Sequence, residues 1–136
     1  MNILVIDAQG GGIGRQLVTA IREKMAEADI TAVGTNTVAT AAMLKAGADN
    51  AATGENAVVV NTRRADVIVG PIGIVIADAM FGEITPRMAN AVAQSSAKRI
   101  LIPINHCDNI MVGVADLNIG RLIQCVIEEL CRLCDR

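Results

Sequence analysis

The stretch Gln9-Gly10-Gly11-Gly12-Ile13-Gly14 follows an apolar run, Ile3-Leu4-Val5-Ile6-Asp7, and precedes the helical pattern that begins Arg15-Gln16-Leu17-Val18. Here a strand runs into a glycine loop, and the loop opens a helix. Glycine lets the backbone turn tightly and approach a ligand, and the free N–H groups at a helix start favour a phosphate. The stretch therefore predicts an α/β fold and a phosphate-bearing ligand.

Length and composition indicate one domain that is rich in core residues. The chain has 136 residues, 52% of them apolar, and a mean hydropathy of +0.45. Ala, Val, Ile, Leu and Met dominate, and Phe81 is the single aromatic residue, a composition typical of helices packed on a buried parallel sheet. This length leaves no room for a second, substrate-binding domain. The surplus of apolar surface predicts a homo-oligomer.

Charge and targeting signals exclude several kinds of partner. The net charge is −2, Lys and Arg are scattered, and one aromatic residue offers no surface on which bases could stack, so we expect no nucleic acid. No apolar run approaches the roughly 20 residues of a membrane span, so we expect no membrane partner. The first strand begins at residue 2 with no basic segment or cleavage site before it, which predicts a cytoplasmic location.

The hydrophobic periodicity predicts alternating strands and helices. The predicted strands are 2–7, 30–33, 48–52, 66–70 and 99–104, with a shorter sixth strand over 110–114. The predicted helices are 13–28, 38–45, 57 to 63 or 64, 74–81, 86–97 and 117–133, with Asn36 or Thr37 capping the second and Thr85 capping the fifth. The β-branched residues 58–60 are also compatible with a strand, and residues 74–81 could instead continue the fourth strand, although we favour a helix. Parallel strands with right-handed crossovers follow from this alternation. We expect a single Rossmann-like three-layer domain over residues 1–136, with an open parallel sheet of five to six strands in the order 3-2-1-4-5.

Ligands of such sheets bind outside the carboxyl ends of the strands, near the point where the strand order reverses. The glycine loop and the helix start are expected to hold phosphates, and the later loops to hold a ribose or a base. The candidate binding residues are Gln9, Gly10, Gly11, Gly12, Ile13, Gly14, Arg15, Thr35, Asn36, Gly70, Pro71, Ile72 and Gly73.

The glycine spacing matches none of the common loops in full. Gly10 and Gly12 satisfy the first two positions of G-x-G-x-x-G, but the third falls on Arg15. Gly12-Ile13-Gly14 resembles short-chain dehydrogenases, which use a catalytic Tyr that this chain lacks. In a P-loop, Arg15 and Gln16 would replace the phosphate-binding Lys and the Mg²⁺-binding hydroxyl, so hydrolysis is not expected. The glycine spacing of the S-adenosylmethionine loop of methyltransferases agrees least well with residues 9–14.

A dinucleotide site usually has an acidic residue about 20 residues beyond the glycines, where it holds the ribose 2′-OH. The second strand instead ends in Gly34-Thr35-Asn36, whose side chains could bind either a hydroxyl or a phosphate. Asp7 would repel a pyrophosphate unless it binds backbone N–H groups or a cation. We still favour NAD(P), or another nucleotide, bound by a sensor or regulatory module.

Two other functions remain open. A small enzyme acting on a phosphorylated or carboxylated metabolite could use Asp7 and His106, the only histidine, as acid and base. A structural homo-oligomer with an empty glycine loop is the other alternative. Cys107, Cys125, Cys131 and Cys134 do not form a disulfide framework, and we expect reduced thiols, with Cys134 on the apolar stripe of the last helix and no metal site.

Four segments carry a resemblance to a known family: Asp7 to Gly14, Ala32 to Asn36, Ala52 to Asn56, and Asp66 to Gly73. Together they resemble a family of short bacterial proteins catalogued as a domain of unknown function. The resemblance covers nearly the whole chain. It implies a stand-alone Rossmann-like domain, and it brings no established activity, substrate or catalytic residue.

Overall fold

The computed structural model describes residues 1–104 and 108–135. Five parallel strands form one open sheet in the order β3-β2-β1-β4-β5, as predicted. This is the strand order of a Rossmann-like fold. The strands are β1 (Asn2–Asp7), β2 (Asp29–Gly34), β3 (Asn50–Thr53), β4 (Val67–Pro71) and β5 (Lys98–Ile102). The helices are α1 (Gly12–Lys24), α2 (Thr37–Lys45), α3 (Glu55–Thr62), α4 (Pro86–Gln94) and α5 (Ile119–Cys134).

The two faces of the sheet bury separate hydrophobic clusters. Along β1, Ile3 and Val5 face a cluster that includes residues of α1, α2 and α5. Leu4 and Ile6 face the other way, onto a cluster that includes residues of α3 and α4. Successive strand side chains point to opposite faces, so a strand covered on both faces is apolar throughout. This explains the unbroken apolar run of β1.

Side-chain caps begin three of the helices. The Asn36 side chain accepts a hydrogen bond from the Ala39 N–H at 2.9 Å, and Thr85 accepts one from the Met88 N–H at 3.1 Å. The Asn118 side chain caps α5 in the same way. These contacts satisfy N–H groups that have no partner inside the helix. Of the two residues predicted as candidates to cap α2, Asn36 rather than Thr37 is the cap, and the predicted cap at Thr85 is confirmed.

Helix α1 ends at Lys24, earlier than the predicted residue 28. The guanidinium of Arg22 donates to the carbonyl oxygens of Ala26 and Ala28, at 3.0 and 2.9 Å, and to that of Gly47. It also pairs with the Asp49 carboxylate at 2.6 Å. The chain therefore leaves the helix into a turn whose carbonyls are satisfied by one side chain, a long-range effect that helical periodicity does not reveal.

The predicted helix over 74–81 is wrong. A short 3₁₀ turn, Ile72–Val75, is followed by an irregular segment, residues 76–84, which we call the strap. Asp78, Met80 and Phe81 have positive φ values of 65°, 55° and 57°, a left-handed conformation that cannot continue a helix. The strap closes on itself through hydrogen bonds from Asp78 N–H to the Ile84 carbonyl and from Ile84 N–H to the Ala79 carbonyl.

The predicted sixth strand over 110–114 is also wrong for the described residues. Residues 108–118, which we call the arm, form no helix or strand. Ile110 and Val112 are 89% and 93% exposed. The β-branched composition favours a strand only where a neighbouring strand and a buried face are present, and the arm has neither among the described residues.

None of the helices in the described part of the chain has the length and apolar character needed to span a lipid bilayer.

Gly70 offers a direct test of this packing. A Cβ at Gly70 would lie 2.5 Å from the carbonyl oxygen of Ile6, so Gly70→Ala must push two paired strands apart. We expect the free energy of unfolding to fall by about 1–3 kcal/mol in urea titrations. Gly120→Ala, in the first turn of α5 where the nearest atom is 3.5 Å away, should leave stability unchanged or raise it by up to about 1 kcal/mol. Equal stability of the two variants would contradict the packing.

Candidate functional site

The carboxyl ends of β1 and β2 lie side by side because the two strands pair from Asn2 with Asp29 to Asp7 with Gly34. The glycine loop leaves the end of β1, and Thr35 and Asn36 leave the end of β2. The backbone N–H of Thr35 donates to the carbonyl of Asp7 at 3.1 Å, which ties the two exits together. The topology thus brings the two leading groups of predicted site residues to one corner of the sheet edge.

Only part of the glycine loop faces solvent. Gly11 and Gly14 are buried, whereas Gly10 and Gly12 are exposed. A Cβ at Gly11 would meet the backbone of Ala39 at 2.7 Å, so this glycine permits the close approach of α1 and α2. A Cβ at Gly14 would meet the Asp7 side chain at 2.9 Å and the Met43 side chain at 2.5 Å. Gly11 and Gly14 therefore serve packing, and Gly10 and Gly12 form the accessible part of the loop.

The Asp7 side chain is 3% exposed and spans the base of the loop. One carboxylate oxygen accepts from the Ala8 N–H at 2.8 Å, and the other accepts from the Gly14 N–H at 2.6 Å. Burial raises the pKa of Asp7 above its usual value, the Glu83 carboxylate adds to this rise, and the N–H groups of Gly14 and Ala8 offset it only in part. Asp7 therefore takes up part of the N–H array that was expected to hold phosphates.

Two backbone donors of the loop stay unused. Within the described residues, no atom accepts a hydrogen bond from the N–H of Gly10 or of Gly12. An added Cβ at either residue would meet nothing within 4 Å, and both residues are exposed. Gly12 is also the first residue of α1, where the helix dipole favours an anion. These two donors remain available to a phosphate.

Glu83 is a residue of the site that sequence analysis missed. One of its carboxylate oxygens, Oε1, accepts from the Thr35 hydroxyl at 2.6 Å, the Asn36 side-chain amide at 2.8 Å and the Gln9 N–H at 2.9 Å. Desolvation raises the pKa of Glu83, but the hydrogen bonds from Thr35, Gln9 and Asn36 outweigh it, so the pKa lies below its usual value. The strap carries this carboxylate onto the corner from 48 residues beyond Thr35, and no local pattern signals it.

The other predicted site residues are placed differently. Arg15 is exposed and lines a hollow of about 240 Å³ between α1 and α5, beside Gly120 and Ile123. Gly70, Pro71 and Gly73 are buried, and only Ile72 of that group is partly exposed. The structure thus brings Gln9, Thr35 and Asn36 together with the glycine loop, and it keeps most of residues 70–73 in the interior.

His106 and Cys107 lie outside the described residues. The three described cysteines are free thiols, and Cys131, not the predicted Cys134, packs against the core, while Cys134 is exposed. Within residues 1–104 and 108–135, no three His, Cys, Asp or Glu side chains come close enough to hold a metal ion.

Two larger hollows lie away from the glycine loop. One, of about 370 Å³, is found near the amino ends of β1, β2 and β3 and is lined by polar residues that include Asn2, Asn50, Asn61 and Arg64. The other, of about 520 Å³, lies between α3 and α4. Neither contains a described side chain with a shifted pKa.

Asp7 and Glu83 predict opposite effects of pH on stability. The raised pKa of Asp7 means that its contribution is complete below its unfolded value of about 3.9 and is lost as pH rises through the folded value. The lowered pKa of Glu83 means that its contribution is present above its unfolded value of about 4.3 and is lost as pH falls through the folded value.

Urea unfolding from about pH 3 to 8 tests this pair. The free energy of unfolding of wild type minus that of Asp7→Asn should fall as pH rises. The free energy of unfolding of wild type minus that of Glu83→Gln should fall as pH falls. If both differences changed in the same direction with pH, the assignment of the two pKa shifts would be contradicted.

A solved structure with a similar fold is described as a dodecameric FMN-dependent Ubix-like decarboxylase from Escherichia coli O157:H7. The sequences are 19% identical, the superposition covers 95% of this chain and 75% of that chain, and the TM-score is 0.47. FMN dependence and dodecameric assembly are properties of that protein.

No curated protein sequence matches the chain. The family described as Domain of unknown function (DUF3842) matches residues 2–135, which confirms the expected membership of a domain of unknown function and covers both the glycine loop and the strap. The protein therefore belongs to the DUF3842 family.

Proposed function

We propose that the protein binds a nucleotide-type ligand, with NAD(P) favoured, and acts as a sensor or regulatory module. The ligand's phosphate lies on the N–H groups of Gly10 and Gly12, and its ribose lies towards Thr35 and Asn36. The fold supports this placement because ligands of open parallel sheets bind outside the carboxyl ends of the strands.

One observation carries the proposal: the exposed N–H groups of Gly10 and Gly12 have no acceptor among the described residues. A phosphate oxygen accepts such N–H groups in charge-assisted hydrogen bonds, which are roughly twice as strong as neutral ones. Both glycines are exposed, and a Cβ added at either one would meet no atom within 4 Å, which is consistent with an accessible loop.

The position of Asp7 favours a binding role over acid–base catalysis. A catalytic carboxylate must come within hydrogen-bond reach of its substrate. Asp7 is 3% exposed, and each of its oxygens already accepts a backbone N–H. Its contacts hold the loop in shape, and a substrate would have to open the loop to reach it.

A spectrum of the purified protein is the first test of ligand identity. With no Trp and no Tyr, the protein is nearly transparent at 280 nm. We expect an adenine band near 260 nm, and mass spectrometry of the species released on unfolding should identify a nucleotide. Additional flavin bands would identify the ligand as a flavin nucleotide instead of NAD(P).

Gly12→Val tests the loop itself. The added side chain has open space in the free protein, so the free energy of unfolding should change by no more than about 0.5 kcal/mol. It covers the donors that the phosphate needs, so affinity for added NAD in calorimetric titrations should fall at least tenfold, about 1.4 kcal/mol.

Ala26→Val, which introduces the same side chain at an exposed turn beyond α1, is the control and should bind like wild type. Unchanged affinity in Gly12→Val would contradict the proposed site. A wild-type protein that neither retains nor binds any nucleotide would favour the structural oligomer with an empty loop.

We also propose that the protein self-associates through the arm, with a second copy of the chain as its partner. Ile110 and Val112 are almost fully exposed, and Met111, Val114 and Leu117 are 37–47% exposed. Residues 109–115 carry no charge, so two copies can bury them against each other without desolvating an ion. A contiguous apolar patch of this kind typically marks a protein interface.

Sedimentation of the double variant Ile110→Ser/Val112→Ser tests the arm. Wild type should sediment at a multiple of 14.2 kDa, and the variant should shift towards 14.2 kDa because its apolar contact is lost. Val38→Ser, at an isolated exposed residue of α2, should keep the wild-type mass. A wild-type monomer, or a variant with unchanged mass, would contradict the role of the arm.

A further inference from the structure

The corner formed by Gln9, Thr35, Asn36 and Glu83 has an unusual distribution of hydrogen-bonding groups. The Thr35 hydroxyl, the Asn36 amide and the Gln9 N–H all donate to Oε1 of Glu83, at 2.6–2.9 Å. The Asn36 amide also donates to the Gln9 carbonyl at 2.9 Å. The donors that the sequence offered to a ligand at the end of β2 are therefore already satisfied within the chain.

The group that remains available at the corner is an acceptor. Oε2 of Glu83 accepts no hydrogen bond from any described residue, and the Glu83 side chain is only partly buried. The lowered pKa of Glu83 keeps the carboxylate ionised at neutral pH. An ionised carboxylate accepts hydrogen bonds and donates none. The corner thus suits a ligand group that donates, and it repels an anion.

The surrounding charges strengthen this preference. Asp7 lies close enough to Glu83 for the two carboxylates to interact electrostatically. Among the described residues, no Lys or Arg pairs with Glu83 or with Asp7. A second phosphate placed here would meet negative charge with no cation to neutralise it.

The strap holds the carboxylate in this position. Ala79, Met80 and Ile84 are buried in the second hydrophobic cluster, which anchors the backbone on either side of Glu83. The left-handed conformations of Asp78, Met80 and Phe81 are unfavourable for residues other than glycine, and they persist because these contacts and the internal hydrogen bonds impose them. Glu83 is therefore a fixed element of the corner.

We propose that Glu83 is the specificity-determining residue of the nucleotide site, where it accepts a hydrogen bond from a free ribose 2′-hydroxyl and excludes a ribose that carries a 2′-phosphate. This inference rests on the proposed function and narrows NAD(P) to NAD and other nucleotides with an unmodified ribose. The end of β2 has no acidic residue of its own. The strap, which lies between β4 and α4, supplies one.

Two pairs of probes test the proposal by titration calorimetry. ADP and 2′-deoxy-ADP differ by the hydroxyl, and NAD and NADP differ by the 2′-phosphate. Wild type should bind the first member of each pair about tenfold or more tightly, because one charge-assisted hydrogen bond is lost in the first comparison and like charges meet in the second. In Glu83→Gln, NADP should gain affinity and each ratio should fall to within about threefold.

Three further variants separate specificity from folding. Glu27→Gln removes the same charge from an exposed turn after α1 and should keep the wild-type ratios. Thr35→Val removes the 2.6 Å hydrogen bond that positions Glu83 and should reduce both ratios, whereas Thr35→Ser retains the hydroxyl and should keep them. If the circular dichroism spectrum of Glu83→Gln is not that of a folded protein, the comparison of Thr35→Val with Thr35→Ser tests whether Glu83 determines specificity.

The binding results separate a failure of the proposed role of Glu83 from a failure of the proposed nucleotide site. Equal binding of ADP and 2′-deoxy-ADP, or of NAD and NADP, to wild type would overturn the role of Glu83 while leaving the nucleotide site in place. If folded Glu83→Gln kept the wild-type ratios of ADP to 2′-deoxy-ADP affinity and of NAD to NADP affinity, the role of Glu83 would also be overturned. If none of the four probes binds to wild type, the proposed function fails and this inference fails with it.

Discussion

The hydrogen bonds of the Asp7 carboxylate with the N–H groups of Ala8 and Gly14 determine the shape of the site. They join the end of β1 to the first turn of α1 and confine the loop between them. The close packing of Gly14 on the Asp7 side chain leaves no room for a Cβ, so the bond and the glycine depend on each other. The loop that results presents Gly10 and Gly12 to solvent and buries Gly11 and Gly14.

Two carboxylates of the chain then divide the donors of the sheet edge. Asp7 takes N–H groups at the base of the loop, and Glu83 takes the Gln9 N–H together with the side chains of Thr35 and Asn36. Among the described residues, no atom accepts a hydrogen bond from the N–H groups of the two exposed loop glycines, Gly10 and Gly12. The Glu83 carboxylate places negative charge beside the loop, and we therefore propose that the edge receives one phosphate-bearing segment followed by neutral hydroxyls, as in an unmodified nucleotide.

Local sequence signals predicted the parts of the fold that local physics determines. The bounds of β1, the caps at Asn36 and Thr85 and the strand order follow from apolar runs, capping chemistry and the handedness of crossovers. The glycine loop was recognisable for the same reason. Its division into buried and exposed glycines was not, because it depends on Ala39 and Met43 from α2.

The strap and the arm escaped prediction because their conformations depend on distant residues. An apolar run at 74–81 is compatible with a helix, and the left-handed turns that replace it depend on the burial of Ala79, Met80 and Ile84 and on hydrogen bonds within the strap. The β-branched residues of the arm resemble a strand, but the structure leaves them exposed. Glu83 reaches Thr35 across 48 residues, so no local pattern signals its carboxylate at the end of β2.

We propose above that the free N–H groups of Gly10 and Gly12 receive a nucleotide phosphate. Amide resonances in a ¹⁵N-labelled sample titrated with ADP measure this most directly. We expect the Gly10 and Gly12 amide protons to shift downfield by the largest amounts in the spectrum, because they form new hydrogen bonds to an anion. Shifts concentrated elsewhere, or no shifts at saturating ADP, would contradict it.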